Sequence, residues 1–352
     1  MTFRRSWLAA ITSTALAAAG LAIPASAPAQ QPKAEEKIPI NIGLPLSNYW
    51  PAYVARDLKI YEQVGLEPKY YNFTTGAPLI AGMKSGSLDV AWTGLATLFM
   101  LGQGIPLKFI LVPIDHSSQM GLVVNPSAGI TSWKEIAKAK AIGAPTATCA
   151  EVSTLLAAKA AGIPRSSLKV SNLAPNLLQG AMQNGQIDAA FIWGPWPFVI
   201  RDAGAGKIIA WDKDFMPQGG VCLVTIAVRP EFLEQHPQAG CRLVKAHALA
   251  LKEARRNPEL AMKTVEQALG ISHAVAKESY ETLEIPPVEA QVDPKSPWSL
   301  TNKEGGLAQK LFVAGEALYE TKAFTQPLTK DQIWQSIDAR YIKEYLATDC
   351  RK

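Results

Sequence analysis

Leu79-Ile80-Ala81-Gly82-Met83-Lys84-Ser85-Gly86-Ser87-Leu88-Asp89-Val90-Ala91-Trp92 returns, ninety-nine positions later, as Leu178-Gln179-Gly180-Ala181-Met182-Gln183-Asn184-Gly185-Gln186-Ile187-Asp188-Ala189-Ala190-Phe191. Leu, Met, Gly, Asp and Ala stand in register, and Trp92 answers Phe191. Each copy reads as a helix closed by a glycine C-cap, then an Asp, then a short buried strand. One α/β unit used twice implies two similar lobes, and a cleft between α/β lobes is a place where ligands bind.

The flanking sequence extends that reading. Ile38–Leu44, Lys69–Phe73, Leu107–Pro113, Gly121–Val124, Ala141–Ala144, Ile208–Trp211 and Val221–Val228 read as strands, with helical patterns between most of them. Alternation of this kind gives parallel sheets covered by helices on both faces. After Pro230 the pattern is mostly helical, ending in one expected helix from Asp331 to Leu346. Ser132-x-x-Glu135 reads as a capping box at another helix start. The pattern breaks near Asn125–Gly129 and near Gly219–Cys222. Residues 38–125 with 221–352 are therefore expected to form one lobe, and 126–220 a second lobe inserted into it. Two chain crossings suit a hinge-bending binding protein.

The first residues read as a leader. Arg4 and Arg5 precede an apolar run from Trp7 to Ile23, and Ala27-Pro28-Ala29 is an A-x-A site, so residues 1–29 are expected to be a signal peptide cut after Ala29. No Cys stands near the cut to carry a lipid, and no later apolar run is long enough to span a bilayer. The expected product is a monomer free in the periplasm. The formal charge of +5 is too mild to imply nucleic acid. The cysteines, Cys149, Cys222, Cys241 and Cys350, contain no C-x-x-C, so neither zinc nor dithiol redox chemistry has support. Export permits disulfides, whose pairing the sequence leaves open. Cys241, at helical spacing, reads as core.

In open α/β sheets ligands sit beyond the carboxyl ends of strands, often at helix N-termini. That rule selects the loops Leu46–Trp50, Thr74–Ala77, Thr93–Thr97, Ile114–Ser118, Thr146–Val152, Trp193–Phe198 and Phe215–Gly220. The candidate ligand contacts in them are Asn48, Tyr49, Trp50, Thr75, Thr93, Thr97, Asp115, His116, Thr146, Thr148, Glu151, Trp193 and Trp196. Hydroxyls and free N–H groups at helix starts hold a sulfonate or carboxylate without a counter-charge. N-capping explains any one Ser or Thr equally well. The loops lack Arg but contain Asp115 and Glu151. If these face the cleft, the ligand carries a cation as well and is a zwitterion; if they cap helices or face solvent, that argument lapses. No metal cluster, phosphate loop or nucleophile motif is evident, so catalysis, a cofactor and a bound metal are not expected.

The order and spacing of Tyr61-Glu62-Gln63-Val64-Gly65-Leu66, Thr75-Gly76-Ala77, Gly86-Ser87-Leu88-Asp89-Val90-Ala91, Ile105-Pro106-Leu107, Gly121-Leu122-Val123-Val124, Gly185-Gln186-Ile187-Asp188-Ala189-Ala190 and Trp193-Gly194-Pro195 resemble a known family. It is the periplasmic substrate-binding proteins of ABC importers, in the nitrate/taurine/alkanesulfonate branch and nearest its taurine receptors. The resemblance implies an α/β type II periplasmic binding protein with two Rossmann-like lobes joined by a two-crossing hinge. It also implies a small-molecule ligand, an ABC permease partner, and a ligand contact from Trp193. The taurine receptors carry an acidic residue on the second crossing strand. Here that strand reads Cys222-Leu223-Val224-Thr225, which puts taurine itself in doubt. An aromatic acid or amine is the alternative ligand. A related fold serves a pyrimidine-precursor enzyme, whose cysteine-rich motif this chain lacks.

Overall fold

Each copy of the repeat folds onto its own sheet. The structure, a computed structural model, describes residues 37–216, 220–320 and 324–351; the expected leader, 1–29, lies outside them. The strands are β1 (Ile38–Pro45), β2 (Leu66–Phe73), β3 (Val90–Thr93), β4 (Lys108–Asp115), β5 (Gly121–Val124), β6 (Ile142–Gly143), β7 (Val170–Ser171), β8 (Ala189–Ile192), β9 (Lys207–Trp211) and β10 (Leu223–Val228). They form two five-stranded sheets, ordered β2-β1-β3-β10-β4 and β7-β6-β8-β5-β9. In each sheet one strand runs antiparallel to both its neighbours: β10 in the first and β5 in the second. These are the two strands that the chain reaches by crossing from the other sheet.

The repeated Asp explains why the motif recurs. An Asp89 carboxylate oxygen accepts the backbone N–H of Asn41 at 2.9 Å, and an Asp188 oxygen accepts that of Lys140 at 2.9 Å. The sequence separation is 48 residues in both cases, so the Asp before β3 fastens β1 and the Asp before β8 fastens the residue leading into β6. Arg229 adds a 2.7 Å ion pair to Asp89. Gly86, the C-cap of its helix, and Gly185, one residue beyond the Asn184 C-cap of the other, have φ of 75° and 63°, a region that favours glycine. The repeated apolar residues pack on glycines of β1 and β6: Leu79 and Leu88 crowd Gly43, and Leu178 and Ile187 crowd Gly143. Burying side chains of this size stabilises each lobe by about 1.5–3 kcal/mol apiece.

Gly121–Val124 pairs with β8 and β9, so it belongs to the second sheet. The first crossing is therefore His116–Met120, upstream of the break expected at Asn125. That break is a short turn in which Asn125 Oδ1 accepts the Ser127 N–H. An all-apolar, fully buried strand carries no local sign of which sheet it joins.

The expected helix from Asp331 to Leu346 is two, Lys330–Gln335 and Arg340–Thr348. Between them Ile337 pairs with Phe109, with hydrogen bonds of 2.7 and 2.9 Å, and extends the first sheet beyond β4. The residues of the Ser132 capping box form a 3-10 turn, and Glu135 accepts from Thr131 rather than from Ser132. The helical tail does not stay with the first sheet. Helix Gly306–Glu320 packs on helix Cys149–Ala160 of the second, and Glu278 of helix His273–Thr282 pairs with Arg201 at 2.5 Å. Among the described residues no helix is long and apolar enough to cross a membrane.

Candidate ligand cleft

A cavity lies between the two sheets, with about 410 Å³ of space between its atoms, its open mouth included. The first lobe contributes Tyr49, Thr74, Thr75, Gly76, Thr93 and Gly94 among others; Thr148, Cys149 and Trp193 face them from the second. His116 and Cys222 enter from the two crossings. Three longer helices start at this wall. Tyr49, Thr75 and Thr148 are the N-cap residues of helices Trp50–Asp57, Gly76–Ser85 and Cys149–Ala160. Helix starts present N–H groups that have no partner within the helix. Only the Thr148 hydroxyl is used as a cap, accepting from Ala150 N–H at 3.2 Å and donating to Pro145 O at 2.6 Å. Among the described lining residues none is Asp, Glu, Lys or Arg.

Of the sequence candidates, Tyr49, Thr75, Thr93, His116, Thr148 and Trp193 line the cavity; the others do not. Asn48 is buried and donates to Gln119 at 2.7 Å and to Ser279 at 2.5 Å. Trp50 packs on Tyr280, with ring centroids 5.3 Å apart. Thr97 donates to Gly94 O at 3.0 Å within its own helix start. Thr146 is held through its N–H by Asn172. Trp196 lies behind the wall, and its indole N–H joins that of Trp193 on Leu46 O, at 3.3 and 3.2 Å.

The two acids that motivated a zwitterionic ligand are committed elsewhere. Asp115 accepts from Ser117 N–H at 2.9 Å and from the Trp298 indole at 2.9 Å, with Lys310 at 3.6 Å. Glu151 accepts the Ala147 N–H at 2.8 Å. This is the helix-start role of an acidic residue, and the Ala147 it holds has a φ of 56°. Neither carboxylate reaches the cavity, so the cation inferred from them has no partner there.

Two features of the wall were not read from sequence. Cys149 and Cys222 form a disulfide, with Cα atoms 5.6 Å apart, tying the start of a second-lobe helix to the residue before β10. Gly94 faces it closely, since a Cβ there would lie 2.5 Å from Cys149 Sγ. Cys241, expected as core, is buried but also disulfide-bonded, to Cys350. Gly76 is the second feature: a Cβ there would lie 2.4 Å from Ala147 O of the opposite lobe. Lobe contact at this distance requires glycine.

His116 is buried and its ring is kept neutral, its pKa lowered to about 3 by burial. Its Nε2 lies 3.0 Å from Ser47 Oγ, while Nδ1 has no partner. Among the described residues the histidine–carboxylate group with metal-ligand spacing is Glu259, Glu266 and His273, at an exposed helix pair whose residues do not line the cleft.

Two lobes of like topology, crossed twice by the chain over one cavity, define the periplasmic binding protein fold. The chain belongs to the NMT1-like family, which matches residues 33–269. It is 27% identical over 222 residues to the taurine-binding periplasmic protein of Escherichia coli (strain K12), covering 61% of this chain and 67% of that one. The alkanesulfonate-binding protein SsuA from Xanthomonas axonopodis pv. citri, solved bound to MOPS, superposes with a TM-score of 0.70 at 16% identity, over 86% of this chain and 99% of that one. The nitrate-binding protein NrtA of Synechocystis PCC 6803 superposes with a TM-score of 0.71 at 13% identity, over 90% of each chain. At these identities the solved structures show a shared fold.

Proposed function

We propose that the chain is the extracytoplasmic solute-binding component of an ABC importer, and that it captures a small organic anion of the sulfonate or carboxylate type. One observation carries the reading: three helix starts and several hydroxyls converge on an interlobe cavity whose described wall holds no charged side chain. Each helix start stabilises an anion by about 0.3–1 kcal/mol, rising toward 2 where partly buried. A cation in the same place meets those dipoles with the wrong sign and finds no carboxylate. The relative named for taurine supports the sulfonate class. On this reading the leader is removed on export, the lobes close over the anion, and a membrane permease receives it.

Trp193 supplies the test, because it lines the cavity and its indole bonds across the lobes. Titration with ethanesulfonate, propanesulfonate and propionate is expected to change tryptophan emission saturably, and Trp193→Phe to remove most of the change. Saturable binding of propylammonium with none of the three anions would contradict the proposal. Loss of uptake of the bound anion by cells lacking the chain tests the importer role.

A further inference from the structure

The chain passes between the lobes twice, but the lobes are joined covalently three times. Cys149 opens helix Cys149–Ala160, which packs on β8 of the second sheet, and Cys222 immediately precedes β10 of the first. Their disulfide is therefore a third link. Cys241–Cys350 is not one, since it joins helix Ala239–Arg256 to the chain just beyond helix Arg340–Thr348, which packs on it. The third link also stands apart from the other two. Both crossings run between the β10-β4 side of the first sheet and the β5-β9 side of the second. Cys149 instead follows β6, which lies toward the other edge of its sheet, beside β7. The bond thus spans the floor of the cleft. Gly94 packs over it from the first lobe, where a Cβ would lie 2.5 Å from Cys149 Sγ and 3.6 Å from Cys222 Sγ. Gly94 and both cysteines line the cavity.

The helix that carries Cys149 holds the second crossing at both ends. Ser153, four residues on and so on the same helix face, donates to Asp212 Oδ2 at 3.0 Å, and both side chains are fully buried. Asp212 is where that crossing leaves β9, and Cys222 is where it reaches β10. The first crossing is attached at the same point, because Cys222 O accepts the His116 N–H at 2.9 Å. The two kinds of link differ in reach. Chain alone lets its ends part by up to about 3.3–3.6 Å for every residue in it, whereas a disulfide keeps its Cα atoms within about 7 Å however the lobes turn. Here those atoms are 5.6 Å apart, so little slack remains.

We infer that Cys149–Cys222 is a tether that limits how far the lobes part, so that the outer edges of the sheets separate while the floor of the cleft stays closed. Hinge bending moves the edges remote from the crossings the most, and those edges are β2 and β7. Gly94 of one lobe and the Cys149 helix start of the other remain neighbours throughout, and that part of the wall is in place before anything binds. The inference stands on the fold and the bond, and it holds whichever solute the cavity takes.

The experiment is single-molecule energy transfer in the full mature chain without ligand. Dyes are attached at Tyr71→p-azidophenylalanine and Leu177→p-azidophenylalanine, two exposed positions on β2 and in the turn after β7. The oxidised chain is expected to show one narrow population. Cys149→Ser with Cys222→Ser is expected to add a second population of longer separation, and Cys241→Ser with Cys350→Ser to add none. In the latter variant dithiothreitol supplies two electrons and two protons to the remaining S–S bond, leaving two thiols and its own cyclic disulfide. The longer population is then expected to appear, and to vanish on reoxidation, with circular dichroism unchanged throughout. Two populations in the oxidised chain, or one unchanged population after the bond is removed or reduced, overturns the inference. Loss of the circular dichroism signal on untying the bond overturns it as well, by making the bond a requirement of the fold rather than a limit on lobe motion. None of these outcomes bears on the anion site, which the titrations above decide.

Discussion

Replacing Cys149 and Cys222 together by Ser should weaken the fold and loosen the ligand site, whereas the same change at Cys241 and Cys350 should do only the first. The magnitudes follow from the loops that the bonds close. In the chain-entropy account, a loop of 73 residues removes about 15 cal/mol/K from the unfolded ensemble, or about 4 kcal/mol at 25 °C. The 109-residue loop closed by Cys241 and Cys350 removes slightly more, about 5 kcal/mol. In a chain of this size, 4 kcal/mol lowers Tm by about 6 °C. The functional effects separate because only Cys149–Cys222 lines the cavity. Untying it frees the start of helix Cys149–Ala160 from Cys222, and binding must then order at least one residue there, at a cost of about 1–2 kcal/mol or roughly tenfold in Kd. Scanning calorimetry under non-oxidising and oxidising conditions gives the first quantity, and calorimetric titration with the tightest-binding sulfonate gives the second. Equal affinity losses in the two double variants would refute the assignment of Cys149–Cys222 to the ligand wall. An unchanged Tm in both would refute the loop argument.

Two further outcomes follow from single residues. Gly76→Ala places a methyl group 2.4 Å from Ala147 O, so it is expected to hold the lobes apart. Ligand affinity should fall about tenfold or more while Tm of the free protein moves by less than about 2 °C; unchanged affinity in titration would mean the contact is dispensable. His247 is buried with both ring nitrogens unpartnered, and its pKa is lowered to about 3, by burial first and then by Arg255. Unfolding raises that pKa to about 6.5, so the unfolded state binds the extra proton. Stability from the neutral ring is complete above pH 6.5 and is lost as pH falls toward 3. His247→Leu should therefore raise Tm at pH 8, with a gain that grows as pH falls from about 6.5; a gain that shrinks on acidification would show the sign to be wrong.

The lobes were legible because their determinants are local and repeated. Asp89 and Asp188, Gly86 and Gly185, and the leucines at 79 and 178 do the same work in both places. The first crossing was not legible, because Leu122, Val123 and Val124 are apolar whichever sheet they enter. The loops of the cleft were found from strand ends and helix starts, but the roles of residues within them were not. Glu151 and Asp115 accept backbone N–H groups four and two residues away, the local capping role that the sequence left open, and what the sequence could not show is the long-range partner that holds Asp115: Trp298 lies 183 residues from it. The disulfide in the wall escaped for the same reason, since a pairing of 73 residues' separation leaves no spacing signature. Glycine at 76 matters only because another lobe presses on it.

The most direct test of the central claim is a thermal-shift comparison of matched skeletons: propanesulfonate and butyrate against propylammonium and propanol, each at up to 10 mM. A ligand that binds only the native state at 100 times its Kd stabilises by about 2.7 kcal/mol, close to 4 °C in a chain of this length. The account predicts a shift of that order for at least one anion, absent for the ammonium and the alcohol, and much reduced in Gly76→Ala. A shift with the ammonium alone, or an anion shift undiminished by Gly76→Ala, would contradict an anion site closed between the two lobes.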